Sequence, residues 1–181
     1  MSLEKIDTLL GAVPRLVSGL SDGAGIISRK DSRRILGQLN ETHILFPQVE
    51  VSVVTLNAIP DTVNLGTYTF WLFNRSDVVR QFDTEGRNYD ILLTIDATGR
   101  RAALTIGYGL EPLVGEQHLS KILAAGEPML IADSFAAATL AMLESLQGVL
   151  REVATGARAA FALPADPEAP KRSMAEAALE F

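Results

Sequence analysis

The chain contains no cysteine. That absence excludes disulfides, thiolate zinc sites, iron–sulfur clusters and a cysteine nucleophile. Histidine is nearly as scarce, with His43 and His118 alone in 181 residues, which argues against a histidine-rich dimetal hydrolase. Both read as surface or interface residues on helices. Basic residues are outnumbered, 16 Lys and Arg against 22 Asp and Glu, and the net charge of −6 leaves no footprint for nucleic acid or an anionic membrane surface. No apolar run reaches the roughly 18 residues of a membrane span. The N-terminus lacks the basic start, apolar core and small-residue cleavage site of a signal peptide. The chain as given therefore reads as soluble, without direct membrane insertion, and as cytoplasmic if Met1 is the native start. There is no P-loop lysine pattern and no internal repeat.

What the sequence does hold is organised around Asp90 to Glu111, DILLTIDATGRRAALTIGYGLE. Ile91, Leu92, Leu93 and Ile95 leave no room for a solvent face, so this strand is central and covered on both sides. Thr98, Gly99 and Arg100 supply the turn that folds a second strand, Arg101 to Ile106, back beside it. Upstream, Leu3 to Leu10 is a short apolar-periodic segment, a leader or docking helix within residues 1–13. An extended approach through Leu16, Val17 and Leu20 leads to SDGAGIIS, Ser21 to Ser28. Ser28 and Asp31 have capping-box spacing and predict a helix with Ile35, Leu36, Leu39 and Ile44 as its buried face, closed by Pro47. Val49 to Leu56 alternates and then turns uniformly apolar, as a strand entering the core does. Asp61 or Thr62 is placed to cap a second helix to about Val79, with Leu65, Tyr68, Trp71 and Leu72 as its stripe.

A polar loop, Arg80 to Tyr89, returns the chain to the central strand. Strand, helix and strand in this order form a parallel pair with a right-handed crossover, and the hairpin adds an antiparallel strand. The expected class is α/β, with a small mixed sheet and C-terminal helices. Val114 to Ala125 reads as a helix broken around Gly126, Glu127 and Pro128. Asp133 or Ser134 is placed to cap a long helix with Phe135, Met142, Leu146, Val149 and Val153 on one face. The domain is expected to span 14–156, with an Ala- and Pro-rich linker and tail at 157–181 marked by Pro164, Pro167 and Pro170.

Three stretches, in order, carry a family resemblance: Asp22, Ala24, Gly25, Ile26, Ile27 and Ser28 of SDGAGIIS; DILLT at Asp90 to Thr94; and IGYGLE at Ile106 to Glu111. Together they resemble the TPM domain, named after a thylakoid-lumen protein, a photosystem II repair protein and a nematode receptor-modulating protein. The resemblance covers roughly Pro14 to Leu150. It implies a three-layer α/β/α sandwich, export or membrane association, and either phosphatase-like activity or divalent-cation binding, with Ca2+ or Mg2+ as the cofactor and no organic one. The chain departs from the family pattern in two places. Asp90 stands where a glycine commonly precedes the apolar strand, and no Trp-Gly ending is recognisable between Asn74 and Phe82.

Two carboxylate clusters are candidates for chemistry. If the first long helix packs antiparallel to the strand it feeds, Asp22, Asn57 and Asp96 converge at the carboxyl ends of the parallel strands, with Ser28 in support, the usual position for a site in open α/β folds. Hard cations take oxygen ligands of this kind. The competing view is that Asp22 caps a turn, Asn57 satisfies a loop and Asp96 starts the hairpin. At the other end of the hairpin, Gly107, Tyr108 and Gly109 lie beside Asp90, with Glu111 and Asp83 near. These glycines either let a backbone approach a ligand or simply turn the chain, and Glu111 is either a ligand or a helix-start anion.

Missing parts reject several enzymes. A phosphoaspartyl phosphatase needs an aspartate where Thr94 stands, two before Asp96. The turn Ala97, Thr98, Gly99 lacks the serines of an integrin-like metal site. Pro112 occupies the third glycine position of a dinucleotide fingerprint. Two classes remain: a divalent-cation-binding interaction module with a protein partner in a membrane-associated or envelope complex, and a metal-dependent phosphatase-like hydrolase of phosphomonoesters. No catalytic residue is assigned.

Overall fold

The computed structural model describes residues 3–76 and 88–161. The elements run α1 (Leu3–Leu10), β1 (Leu20–Asp22), α2 (Arg29–Leu45), β2 (Val51–Leu56), α3 (Leu65–Arg75), β3 (Ile91–Asp96), β4 (Arg101–Ile106), α4 (Glu116–Ile131) and α5 (Phe135–Phe161). The sheet has the order β1-β2-β3-β4, with β1, β2 and β3 parallel and β4 antiparallel to β3. It is the mixed sheet of an α/β fold. A three-residue β1 was not foreseen as a strand, because a segment this short carries no periodicity to read.

Side-chain alternation divides the sheet into two faces. Val51, Val53, Ile91, Leu93 and Ile95 pack with Ile35 and Leu39 of α2, Ile122 and Leu130 of α4, and Met142, Leu143, Leu146 and Val149 of α5. Val54, Leu92 and Ala103 face the opposite way, into a core made by Ile6 of α1 and Leu65, Tyr68, Trp71 and Leu72 of α3. Helices thus cover both faces, the three-layer arrangement expected. Helix α1 docks on α3: Asp7 Oδ1 accepts from Trp71 Nε1 at 2.8 Å, and Asp7 Oδ2 pairs with Arg75 at 2.6 Å.

Several local expectations are corrected. On α2 the buried stripe is Ile35, Leu39 and Thr42, while Leu36 and Ile44 are exposed; Thr42 takes the place of an apolar residue and receives a 3.4 Å hydrogen bond from Gln147 of α5. The cap of α3 is Asn64, whose side chain accepts from the Thr67 amide at 2.8 Å. Asp61 and Thr62 lie inside a turn closed by the Val63 amide and the Pro60 carbonyl, so neither can start the helix. Helix α3 is described to Arg75; Val79 and most of the predicted loop lie outside the described residues.

Gly126 does not break α4. A Cβ there would stand 2.7 Å from Met142 Cγ and 3.0 Å from the Ala138 carbonyl oxygen, so the glycine lets α4 seat directly on α5. Pro128 also lies within α4, near its end; the carbonyl that it leaves without a helical donor belongs to Ala124, on the exposed side. The break comes later, at Ala132 and Asp133, where Asp133 takes φ 56°. Helix α5 then continues past Gly156 to Phe161.

Candidate functional site

The carboxyl ends of β1, β2 and β3 form one crest. Asp22 ends β1 opposite Thr55 of β2, and Asp96 ends β3 opposite Leu56. From Asp22 the chain turns through Gly23, Ala24 and Gly25 into α2, and the carboxylate of Asp22 organises that turn. Its Oδ1 accepts from the Ile26 amide at 3.2 Å and from the Thr55 hydroxyl in a short hydrogen bond, and its Oδ2 accepts from the Ile27 amide at 3.0 Å. Thr55 Oγ1 also accepts from the Ala24 amide at 3.2 Å, stitching the turn to β2. Ser28 caps α2: its Oγ accepts from the Asp31 amide at 3.1 Å and donates to Asp31 Oδ2 at 2.7 Å. That hydrogen bond, and then Arg34, hold the Asp31 carboxyl below its ordinary range.

Asp96 is almost fully buried and engaged otherwise. Its Oδ1 accepts from the Gly99 amide at 3.0 Å, closing the hairpin, and its Oδ2 pairs with Arg101 at 2.8 Å. Asn57 is exposed, and its carbonyl accepts from the Thr98 amide at 2.9 Å. Asp22 and Asp96 belong to the same crest but not to the same face. Register pairs Asp22 with Thr55 and Ile95, on the side of α2 and α5, whereas Asp96 aligns with Leu56 and Arg101 on the side of α3. Two strand spacings separate their backbones, about 10 Å.

The second cluster lies at the other end of β3, about 20 Å from Asp96 at the usual strand rise. Asp90 is buried. Its backbone carbonyl accepts from the Gly107 amide at 2.9 Å, and its amide donates to Asn88 Oδ1 at 2.8 Å. The Gly109 amide donates to the Asn88 carbonyl at 2.8 Å. A Cβ on Gly107 would stand 2.3 Å from two Asn88 oxygens, and one on Gly109 would stand 2.7 Å from the Tyr89 ring. The close approach these glycines permit is thus made by the chain's own Asn88 and Tyr89. Tyr108 and Glu111 are exposed. Asp83 lies outside the described residues. Asp22, Asp96, Asp90 and Glu111 are therefore divided between two ends of the sheet, and among the described residues no three His, Asp or Glu side chains could hold one metal ion.

Sequence reasoning missed Thr55, the residue that joins Asp22 to β2. Its one signal was a hydroxyl late in the apolar run VSVVTL. It also missed two clefts along β4. One, about 200 Å³, is lined by Phe70 and Phe73 of α3, Leu104 to Ile106, Tyr108 and Glu111. The other, about 330 Å³, lies between Arg100 to Ala102 and the α4 residues Ser120, Leu123 and Glu127. Phe70 stood off the predicted α3 stripe, which was the available clue to the first.

This arrangement recurs in solved structures. An N-terminal domain of a protein from P. gingivalis, solved by NMR, is 25% identical with a TM-score of 0.61, covering 84% of this chain and 92% of that one. The N-terminal domain of the cg2496 protein from Corynebacterium glutamicum is 18% identical with a TM-score of 0.56, covering 76% and 83%. The BA42 protein from the psychrophilic bacterium Bizionia argentinensis shares 10% identity and a TM-score of 0.56, covering 70% and 83%; at these last two identities the likeness shows the fold. No curated protein matches the chain in sequence. The pattern that defines the TPM domain matches residues 20–149, from the start of β1 through most of α5, and the chain belongs to the TPM domain family.

Proposed function

We propose that this TPM domain is a non-catalytic interaction module that engages a protein partner. The observation that supports this reading is how its candidate carboxylates are used. Asp22 accepts from two amides and a hydroxyl, and Asp96 accepts from an amide and a guanidinium. Both side chains hold turns in place. A hard cation takes about six to eight oxygens for calcium, with several carboxylate or carbonyl donors converging on one point. The described residues do not fit that requirement, since three of the Asp22 lone-pair sites are taken and Asp96 faces the other side of the sheet. Phosphoryl transfer assisted by a metal would need the same convergence.

The test uses p-nitrophenyl phosphate as substrate and the melting temperature of chelator-treated protein, each with and without millimolar calcium or magnesium. The expected result is no turnover above buffer and no thermal shift. A ligand binding the folded state at a hundred times its dissociation constant would add about 2.7 kcal/mol, so binding of that strength would be visible. Turnover abolished by Asp22→Ala would overturn the reading in favour of the hydrolase.

A further inference from the structure

The two edges of the sheet differ. β1 is three residues long, one of the usual ways a natural edge is blunted. β4 has six residues, contains no proline, and has no neighbour beyond it among the described residues. The Gly107 amide bonds the Asp90 carbonyl, and antiparallel pairing alternates from there. Thr105, Ala103 and Arg101 therefore turn their backbone groups to β3. Ala102, Leu104 and Ile106 turn theirs outward.

The two clefts border this same edge, one on each face of the sheet. The aromatic cleft lies beside the Leu104 to Ile106 half, under α3, and the other lies beside Arg100 to Ala102, under α4. A strand laid along β4 would send successive side chains to alternate faces, so it alone among peptide conformations would reach both clefts while pairing its backbone. Charge narrows the occupant further. Arg100 is neutralised by Asp133 at 2.7 Å and Arg101 by Asp96 at 2.8 Å. Glu111 on one cleft and Glu127 on the other are exposed and meet no basic side chain among the described residues. Among the described residues, the uncompensated charge along this edge is negative.

Building on the interaction-module reading, we infer that β4 is a docking edge for an extended segment of another protein, added as a fifth strand. That segment carries an aromatic or large aliphatic residue for the cleft under α3 and Lys or Arg for Glu111 and Glu127. Outward amides supply affinity that is indifferent to sequence, and the clefts and carboxylates supply the selection.

The test begins with a phage-displayed library of random decapeptides panned on the whole chain, with counter-selection on the double variant Glu111→Lys, Glu127→Lys. Both glutamates are exposed, so the variant should keep the parent melting temperature. Enriched peptides should alternate apolar residues and carry Lys or Arg. A synthetic copy of the leading one should shift the NMR amide signals of Ala102, Leu104 and Ile106. Its affinity should fall by about tenfold or more on the double variant, where like charges oppose it. Ala102→Pro, which removes one outward amide and leaves the pairing with β3 intact, should weaken it as well. Three results would overturn the inference: no enrichment, shifts confined to other elements, or a dimer in sedimentation velocity that Ala102→Pro dissolves, since the edge would then serve a second copy. Peptide shifts around Asp22 would sink the edge while leaving a binding module standing. Phosphatase turnover in the parent would sink the module itself.

Discussion

Asp22→Ala offers the clearest trial of the claim that this carboxylate is structural. The side chain accepts from the Ile26 and Ile27 amides and from the Thr55 hydroxyl. Hydrogen bonds to a charged group contribute about 1.5–3 kcal/mol each, but they do not add, and water can reach a half-buried turn to replace part of what is lost. The net loss should be about 2–3 kcal/mol, read as a melting temperature lower by about 5–10 °C for a chain of this size. Asp22→Asn keeps one carbonyl acceptor in the same place and should lose about half as much. Thr55→Val removes the hydroxyl donor, and a double-mutant cycle between the two positions should give a coupling of about 1 kcal/mol because they share one bond. Urea denaturation at pH 7 measures the four variants and the parent. If Asp22→Ala stays within about 0.5 kcal/mol of the parent, the range of an ordinary surface change, the turn is held by something else and the structural reading of Asp22 fails.

Other outcomes follow from the packing. Thr94 sits fully buried in β3 with a hydroxyl that meets no partner among the described residues, so Thr94→Val should stabilise the chain by about 1 kcal/mol in urea; destabilisation would reveal a bound water. Gly126→Ala should cost about 1–3 kcal/mol, because its Cβ would overlap Met142 and crowd the Ala138 carbonyl, and Met142→Ala in the same chain should relieve only the Met142 part of that cost in thermal melts. Hydrogen bonds from Arg75, and then from Trp71, hold the Asp7 carboxyl below its ordinary value of 3.8 in the docked state. Docking of α1 therefore has this contribution in full above that pH and loses it as pH falls through the lower, folded value. The fluorescence of Trp71, the one tryptophan, should change over that acid range, and Asp7→Asn should remove the pH dependence.

The sequence made the larger organisation legible because burial on both sides leaves a plain record. ILLTID could only be a covered central strand, and its turn and partner followed within ten residues. The α3 stripe of Leu65, Tyr68, Trp71 and Leu72 was equally readable, and all four are buried. What escaped depended on distant neighbours. Nothing local tells that Gly126 faces Met142 or that Leu36 falls outside the stripe that Thr42 completes. The crest was legible in its position and not in its facing. Asp22, Asn57 and Asp96 do gather at the strand ends, yet which side each aspartate takes rests on register, and a one-residue step reverses it. The glycines of IGYGLE sit where the chain packs tightly on its own Asn88 and Tyr89, a neighbour that only the tertiary structure supplies.

The shortness of β1 has a consequence for when the chain is fully formed. β3 and β4 are joined by a tight turn and can find each other early, whereas β1 must wait for β2, beyond the whole of α2, and then gains only three residues of pairing. The turn shaped by Asp22 hangs on that last and least secured strand. Its amides should therefore exchange with solvent sooner than those of β2, β3 and β4 in native-state hydrogen exchange.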